Sequence, residues 1–227
     1  MKPHVKLAEA PAPGGGRLTL HEHDGSYCIR INGQILMDST ACASEILLGE
    51  LAVKRPLAAL EPAPRILIGG LGLGFTLDRV LAGVGPRARV VVAELIPAVI
   101  AWNRSHLRGL HGARLDDPRV EIVSADVGEL MGQARDGSYD AVLLDVDNGP
   151  VAMVQRANKD LYSHAGLARL AACLRSGGRA AIWSASRHDV FADRLAAAGF
   201  VVEEVPARTY AAARRPSHII YVADKVK

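Results

Sequence analysis

From Arg65 onward the sequence alternates two kinds of segment, and that alternation fixes the fold class. Runs rich in Val, Ile and Leu ("RILIGG", "ARVVVAEL", "RVEIVSAD", "YDAVLLDVD", "RAAIWSA") are separated by stretches with helical spacing of apolar residues ("FTLDRVLAG", "PAVIAWNRSHL", "VGELMGQAR", "LYSHAGLARLAACL", "HDVFADRLAAAG"). Strands that are apolar along their whole length are covered on both faces, and helices between them serve as crossovers, so the pattern predicts a parallel α/β sheet. The last two runs, "FVVEEVPA" and "SHIIYVAD", have no helix between them, which predicts a hairpin and one antiparallel strand near an edge. The expected fold is therefore a doubly wound, mostly parallel seven-stranded sheet.

The beginning of the chain has a different period. "RLTLHE", "SYCIRI" and "QILMD" are separated by Asp24-Gly25 and Asn32-Gly33, and such pairs are strong hairpin signals because a tight primed turn needs positive φ at both positions. "SEILLGELAV" follows with helical spacing, and Pro56, Pro62 and Pro64 close the segment. Residues 17–62 read as a small β-meander plus helix, too small for a core of its own, and residues 63–227 as a nucleotide-binding catalytic α/β domain. Residues 1–16, with Pro11, Pro13 and Gly14 to Gly16, read as a flexible lead-in. The open edges of the meander would gain from pairing across a homodimer.

Charge and composition narrow the function classes. The 27 Lys and Arg residues barely exceed the 24 Asp and Glu residues and are scattered along the chain, which is no footprint for nucleic acid. No apolar run is long enough for a membrane span and the start lacks a signal-peptide core, so the expectation is a cytoplasmic protein without a membrane partner. Cys28, Cys42 and Cys173 are far apart with no CxxC pair, arguing against a disulfide framework or a metal site.

Gly70, Gly72 and Gly74 follow the first buried strand, and Glu94 ends the second. In an open parallel sheet, ligands bind beyond the carboxyl ends of the strands, where glycines let the backbone come close and a carboxylate can accept both hydroxyls of a ribose. A dinucleotide fingerprint requires a further glycine where Phe75 or Leu77 stands, so the spacing disfavours a nicotinamide cofactor. It suits an S-adenosylmethionine-type nucleotide, which brings no pyrophosphate. Asp126, at the start of the helix after "RVEIVSA", can accept an adenine amine, cap that helix, or do both. A turn that merely packs helix against strand is the alternative for the glycines.

"YDAVLLDVDNGP" ends an apolar strand abruptly in Asp145 and Asp147. A carboxylate at the carboxyl end of a central strand faces the cleft, where it can orient an amine nucleophile and take its proton; capping a turn before Pro150 is the other possibility. Asp140, at the opposite end of the same strand, reads as structural. Asn148 and Tyr162 are candidates to line the substrate pocket, with a core position equally open.

The stretches "ILIGGLGLGFTLDRV", "VVVAELIPAVI", "DPRVEIVSAD", "YDAVLLDVD", "LYS" and "LRSGG" resemble the spermidine synthase (polyamine aminopropyltransferase) family, from about Arg17 to Ala223. The resemblance implies a Rossmann-like class I methyltransferase fold behind an N-terminal β-meander. Position by position it implies Glu94 for the donor ribose, Asp126 for the adenine and Asp145 as catalytic carboxylate beside the sulfonium. The family's glycine loop usually reads GGGDGG, its aspartate binding the amine of decarboxylated S-adenosylmethionine; here Leu73 stands in that place. Of the family's DExxYHE gate segment, Ser44 to Glu50 retains Glu45 and Glu50. The family's DxxDP pattern meets Asp145-Val146-Asp147-Asn148-Gly149, so its second acidic position becomes Asn148 or slips to Asp147.

The expected function is transfer from S-adenosylmethionine or decarboxylated S-adenosylmethionine to a small amine-type acceptor, with a lean to methyl transfer because Leu73 no longer repels a donor carboxylate. Aminopropyl transfer to a polyamine, with Glu45, Glu50 and Asp147 holding ammonium groups, is the second reading. A non-catalytic nucleotide-binding protein of the same fold is the third.

Overall fold

The structure is a computed structural model and describes residues 4–54, 63–146 and 158–226. Four strands open the chain: β1 (Val5–Pro11), β2 (Arg17–His23), β3 (Ser26–Ile31) and β4 (Gln34–Asp38), followed by helix α1 (Ala43–Val53). The α/β part then runs β5 (Arg65–Gly69), α2 (Phe75–Gly83), β6 (Arg89–Ala93), α3 (Pro97–Arg104), α4 (Arg108–His111), β7 (Val120–Val123), α5 (Val127–Gln133) and β8 (Tyr139–Leu144). It ends with α6 (Asn158–Leu161), α7 (His164–Cys173), β9 (Leu174–Ser184), α8 (Phe191–Ala197), β10 (Phe200–Ala207) and β11 (His218–Lys225).

The large sheet has the order β10-β11-β9-β8-β5-β6-β7 among the described residues. Strands β5 to β9 run parallel, and β11 lies antiparallel between β10 and β9. The expected doubly wound, mostly parallel sheet is present, including the antiparallel strand near the edge. Its switch point lies between β5 and β8: from β5 the chain winds outward through β6 and β7, then returns to the other side. The central strands are apolar because helices cover both faces; β8 is buried at every residue from Tyr139 to Leu144.

The two Asx-Gly turns behave as their composition demands. Asp24 and Gly25 have φ of 50° and 81°, and Asn32 and Gly33 have 49° and 85°, the positive pair of a primed hairpin turn. The lead-in is corrected by the structure. Val5–Pro11 is not flexible but pairs antiparallel with β2, from Val5 opposite Glu22 to Pro11 opposite Arg17. Gly14, Gly15 and Gly16, all at positive φ, turn this hairpin. A second correction concerns "LYSHAGLARLAACL". Ser163 interrupts it by accepting a hydrogen bond from the Gly166 N–H (3.2 Å), which starts α7 afresh.

The small sheet and α1 are built onto the large sheet rather than tethered to it. Leu18, Leu20, Ile29 and Leu48 share one buried core with Ile66, Ile68, Leu77 and Val80. Helix α1 crosses α2 closely, because a side chain on Gly49 would sit 2.8 Å from Arg79 Cβ, and one on Gly83 2.5 Å from Val53. Arg179 on β9 locks the far end of α1: it donates to the Leu51 and Lys54 carbonyls (2.8 and 3.1 Å) and forks onto Asp224. These carbonyls belong to the last turn of a helix, where no intrahelical donor is available.

Replacing Arg179 by Met should therefore uncouple the end of α1. The guanidinium is well covered while Asp224 is partly exposed, so a loss of about 2 kcal/mol is expected. That corresponds to a fall in Tm of roughly 4–8 °C in a thermal melt.

Candidate functional site

The switch point opens a cleft, and its floor is made by a very close approach of two strand ends. A Cβ on Gly70 would lie 2.2 Å from the Asp145 carbonyl oxygen, and Gly70 itself has φ of 93°, so both space and conformation require glycine. The Asp145 N–H donates to the Gly69 carbonyl (2.9 Å), and the Gly70 N–H donates to that of Ala93 (2.8 Å). The loop after β5 and the ends of β6 and β8 are thereby fixed together.

Glu94 is buried at the end of β6 and accepts from two backbone amides, Leu71 N–H through Oε2 (2.9 Å) and Ile96 N–H through Oε1 (2.8 Å). Burial raises its pKa, and the surrounding amides oppose that rise. Each carboxylate oxygen has a second lone-pair direction, so the amides that hold Glu94 leave acceptor capacity for a ligand. Asp126 caps α5 by accepting from the Glu129 N–H (3.1 Å) through Oδ1, and it also lines the cleft. Capping and ligand contact coexist at this residue.

The cleft is lined by Gly70, Gly72, Ala93, Glu94, Asp126 and Asp145, with Leu95, Ile96, Val99, Val127 and Val146 between them. Its remaining wall comes from the small sheet: Leu18, Ile29, Leu36 and Met37. Met37 reaches furthest; a Cβ on Gly72 would be 2.5 Å from its sulfur. An adjoining smaller pocket shares Met37, Gly72 and Asp145 and adds Glu45, Leu73, Gly74 and Thr76. Leu73 is 4% exposed and belongs to the apolar core.

Asp145 is a strongly perturbed acid of the site. Burial, then the neighbouring Glu45 carboxylate, push its pKa to about 7, while a hydrogen bond from Thr76 works in the opposite direction. That bond runs from the Thr76 hydroxyl to Oδ2 at 2.8 Å. Glu45 is likewise raised, first by burial; the Ser44 hydroxyl, which donates to Oε2 at 2.6 Å, and nearby His218 hold it down. His218 in turn packs against Trp183, with ring centroids 4.9 Å apart. Two carboxyls thus face each other at one end of the cleft.

The structure brings Gly70, Gly72, Glu94, Asp126, Asp145 and Glu45 together but separates two other expected residues. Glu50 pairs with Arg79 on α2 at the protein surface. Five residues along a helix turn a side chain about 140° from Glu45, so the two glutamates cannot serve one pocket. Tyr162 is buried edge to face against Phe191, with centroids 5.6 Å apart, in the core on the other face of the sheet, and lines none of the cleft formed by the described residues. Asp147 and Asn148 lie outside the described residues. Asp140 is structural, as expected: it accepts from the Arg65 N–H (2.7 Å) and pairs with Arg175.

Thr76, Asn103 and His111 escaped the sequence reading. Thr76 had no motif to mark it. Asn103 had one weak signal, an amide four residues after Val99 on the apolar side of α3.

No protein-family model matches the chain. Over 147 residues it is 33% identical to polyamine aminopropyltransferase 2 of Pseudomonas aeruginosa, a match that covers 63% of this chain and 40% of that protein. Over 129 residues it is 30% identical to putrescine N-methyltransferase 1 of Nicotiana tabacum, covering 57% of this chain and 32% of that one. The chain thus spans less than half the length of these curated relatives. Among solved structures, a spermidine synthase in complex with the transition-state analogue AdoDATO superimposes with a TM-score of 0.76 at 19% identity, over 97% of this chain and 73% of that one. The chain shares the fold of that spermidine synthase. The mostly parallel seven-stranded sheet has a Rossmann-like methyltransferase fold, and the small four-stranded sheet is added to it.

The electrostatics of the cleft are directly measurable. The Asp145 carboxyl should titrate with a midpoint of about 7 in carboxyl-carbon NMR. Thr76→Val removes a hydrogen bond to the charged form and should move the midpoint up; Glu45→Gln removes a like charge and should move it down.

Proposed function

We propose that the cleft binds an S-adenosylmethionine-type donor and that the protein transfers an alkyl group from it to a small amine, with Asp145 as the reacting carboxylate. The observation that carries this reading is the gathering of Glu94, the glycine loop, Asp126 and Asp145 in one cleft. The residues suit such a ligand. Apolar Ile96, Val99 and Val127 offer surface for a purine, Asp126 Oδ2 can accept its amine, and Glu94 has acceptor capacity for ribose hydroxyls.

A bound sulfonium supplies an electrophilic carbon, whose bond to sulfur breaks as the acceptor nitrogen attacks, leaving a neutral thioether. For that attack the nitrogen needs a free electron pair, and the new C–N bond makes it positively charged until a proton leaves. Asp145 accepts that proton. Its pKa of about 7 matches a general base working near neutrality. Thr76 fixes the carboxylate by its 2.8 Å bond, and the apolar roof of Leu36 and Met37 keeps water from competing as a nucleophile.

Methyl transfer is the favoured form of the reaction. Leu73 lies in the apolar core, where the resembling family carries the aspartate for the amine of the decarboxylated donor. The ion pair of Glu50 with Arg79 also removes one carboxylate from a polyamine site. The second reading, aminopropyl transfer, draws on Asp145 and Glu45, whose paired carboxyls suit an ammonium group. The curated relatives include both kinds of enzyme by name.

Calorimetry with the two donors separates the readings: S-adenosylmethionine is expected to bind at least about tenfold more tightly than the decarboxylated form. Binding of the decarboxylated donor alone would sink the methyl-transfer reading. Once an amine acceptor is in hand, Asp145→Asn should lower kcat by about 10²–10⁴-fold, the usual worth of a general base. Donor affinity should fall by much less than kcat, since the substitution keeps the side-chain volume and removes only one carboxylate's attraction for the sulfonium.

A further inference from the structure

The three glycines of the loop serve different partners. Gly70 makes room for the Asp145 backbone and Gly72 lies under Met37, but the space beside Gly74 is taken from behind. A Cβ there would be 3.0 Å from the His111 ring and 3.4 Å from Asn103 Oδ1. Gly74 also has φ of 89° and begins α2 without any side-chain cap.

Asn103 is 1% exposed and His111 9% exposed. The Asn103 amide Nδ2 donates to the Gly72 carbonyl at 2.8 Å and to the Val99 carbonyl of its own helix at 2.9 Å. With both amide hydrogens committed to carbonyls, Oδ1 is the acceptor for His111 Nε2 at 2.8 Å, so the imidazole carries its proton on Nε2. Burial lowers the His111 pKa, which keeps the ring neutral at pH 7. The result is a chain of donors, from His111 through Asn103 to the Gly72 carbonyl.

We infer that Asn103 and His111 are positioning residues for the nucleotide loop, a buried strut that fixes the Gly72 peptide and so the surface the loop presents to the adenosyl donor. This rests on the reading of the cleft as a donor site. The strut adds to the one backbone hydrogen bond that the loop makes within itself, from the Gly74 N–H to the Leu71 carbonyl (2.9 Å). Gly70, Gly72 and Gly74 all sit at positive φ, and glycine loses more freedom on ordering than any other residue. Leu71 is held from the cleft side by Glu94, with its N–H 2.9 Å from Oε2. Gly72 is held from the opposite side by Asn103. A loop pinned at both peptides is ordered before the ligand arrives, so binding does not have to order it. His111 never approaches the cleft; it acts by fixing which way the Asn103 amide faces.

The test is calorimetric binding of 5′-methylthioadenosine, the part common to both candidate donors. Asn103→Ala and His111→Leu should each weaken binding about tenfold, as expected for a lost buried hydrogen bond in a preorganised site. His111→Gln, which places an amide N–H near the position of Nε2, should bind within about threefold of the parent protein. Asp140→Asn supplies the control, because it weakens the fold at the end of β8 opposite the cleft, where Asp140 holds the Arg65 N–H and Arg175, and should bind as the parent does. If Asn103→Ala does not fold, the contrast between His111→Leu and His111→Gln decides. Parent-like affinity in a folded His111→Leu, or an affinity in Asp140→Asn that falls along with its Tm, overturns the inference while leaving the donor site intact. A parent protein that binds no methylthioadenosine overturns the donor site and the strut together.

Discussion

The contact between Gly70 and the Asp145 backbone governs the site. Beyond the last ladder bonds of β5 and β8, the two chains stay close enough that a Cβ on Gly70 would lie 2.2 Å from the Asp145 carbonyl oxygen. Because the strands do not splay, Asp145 is delivered to the mouth of the loop instead of solvent. The next residues of the loop then meet Glu94 on one side, and α2 starts in time to set Thr76 beside the Asp145 carboxyl. A larger residue at position 70 would push β8 away and separate Asp145 from the glycine loop at once. Stability of the sheet and geometry of the cleft meet in this one approach.

The second constraint is electrostatic. Asp145, Glu45 and Glu94 share a poorly hydrated cleft; Glu45 and Glu94 both push the Asp145 pKa up, and burial raises the other two as well. A carboxyl whose folded-state pKa is raised contributes stability that is fully present below its unfolded value and is lost as pH rises through the folded value. For Asp145 that window runs from about 3.8 to about 7, so the empty site strains the fold at neutral pH. A cationic ligand relieves this strain. A sulfonium or an ammonium close to the carboxyls favours their charged forms, so ligand binding releases protons and becomes tighter as pH rises through that window. The cleft is thus selective for positive charge through the cost of its own carboxylates.

The fold was largely legible because its signals are local. Asp24-Gly25 and Asn32-Gly33 announced their turns through the φ angles they must adopt, and the β8 run announced a strand covered on both faces. Failures came where the deciding partner is remote in sequence. Val5–Pro11 became a strand only through β2, whose pairing outweighs the Pro and Gly residues around it. Within the site, Glu94, Asp126 and Asp145 could be found because strand ends in such sheets face the cleft. Glu50 was misplaced because a linear motif ignores rotation along a helix, and Arg79, its partner, lies on another element. Asn103 and His111 were invisible for the same reason: their role is defined by a backbone carbonyl 31 residues away from Asn103.

The N-terminal sheet takes on a different meaning in this light. As a separate unit it would expose most of its apolar face, and four short strands with one helix bury too little to fold alone. Docked, it closes the cleft with Leu18, Ile29, Leu36 and Met37 and, through α1, brings Glu45 to Asp145. The close crossing of Gly49 over α2 and the Arg179 clamp at the other end of α1 set how far Glu45 advances. An advance of α1 would press the Glu45 carboxyl harder against Asp145, and a retreat would leave that end of the cleft open to water. The position of α1 is therefore a compromise between excluding solvent and limiting repulsion, enforced from both ends by contacts that never touch the ligand.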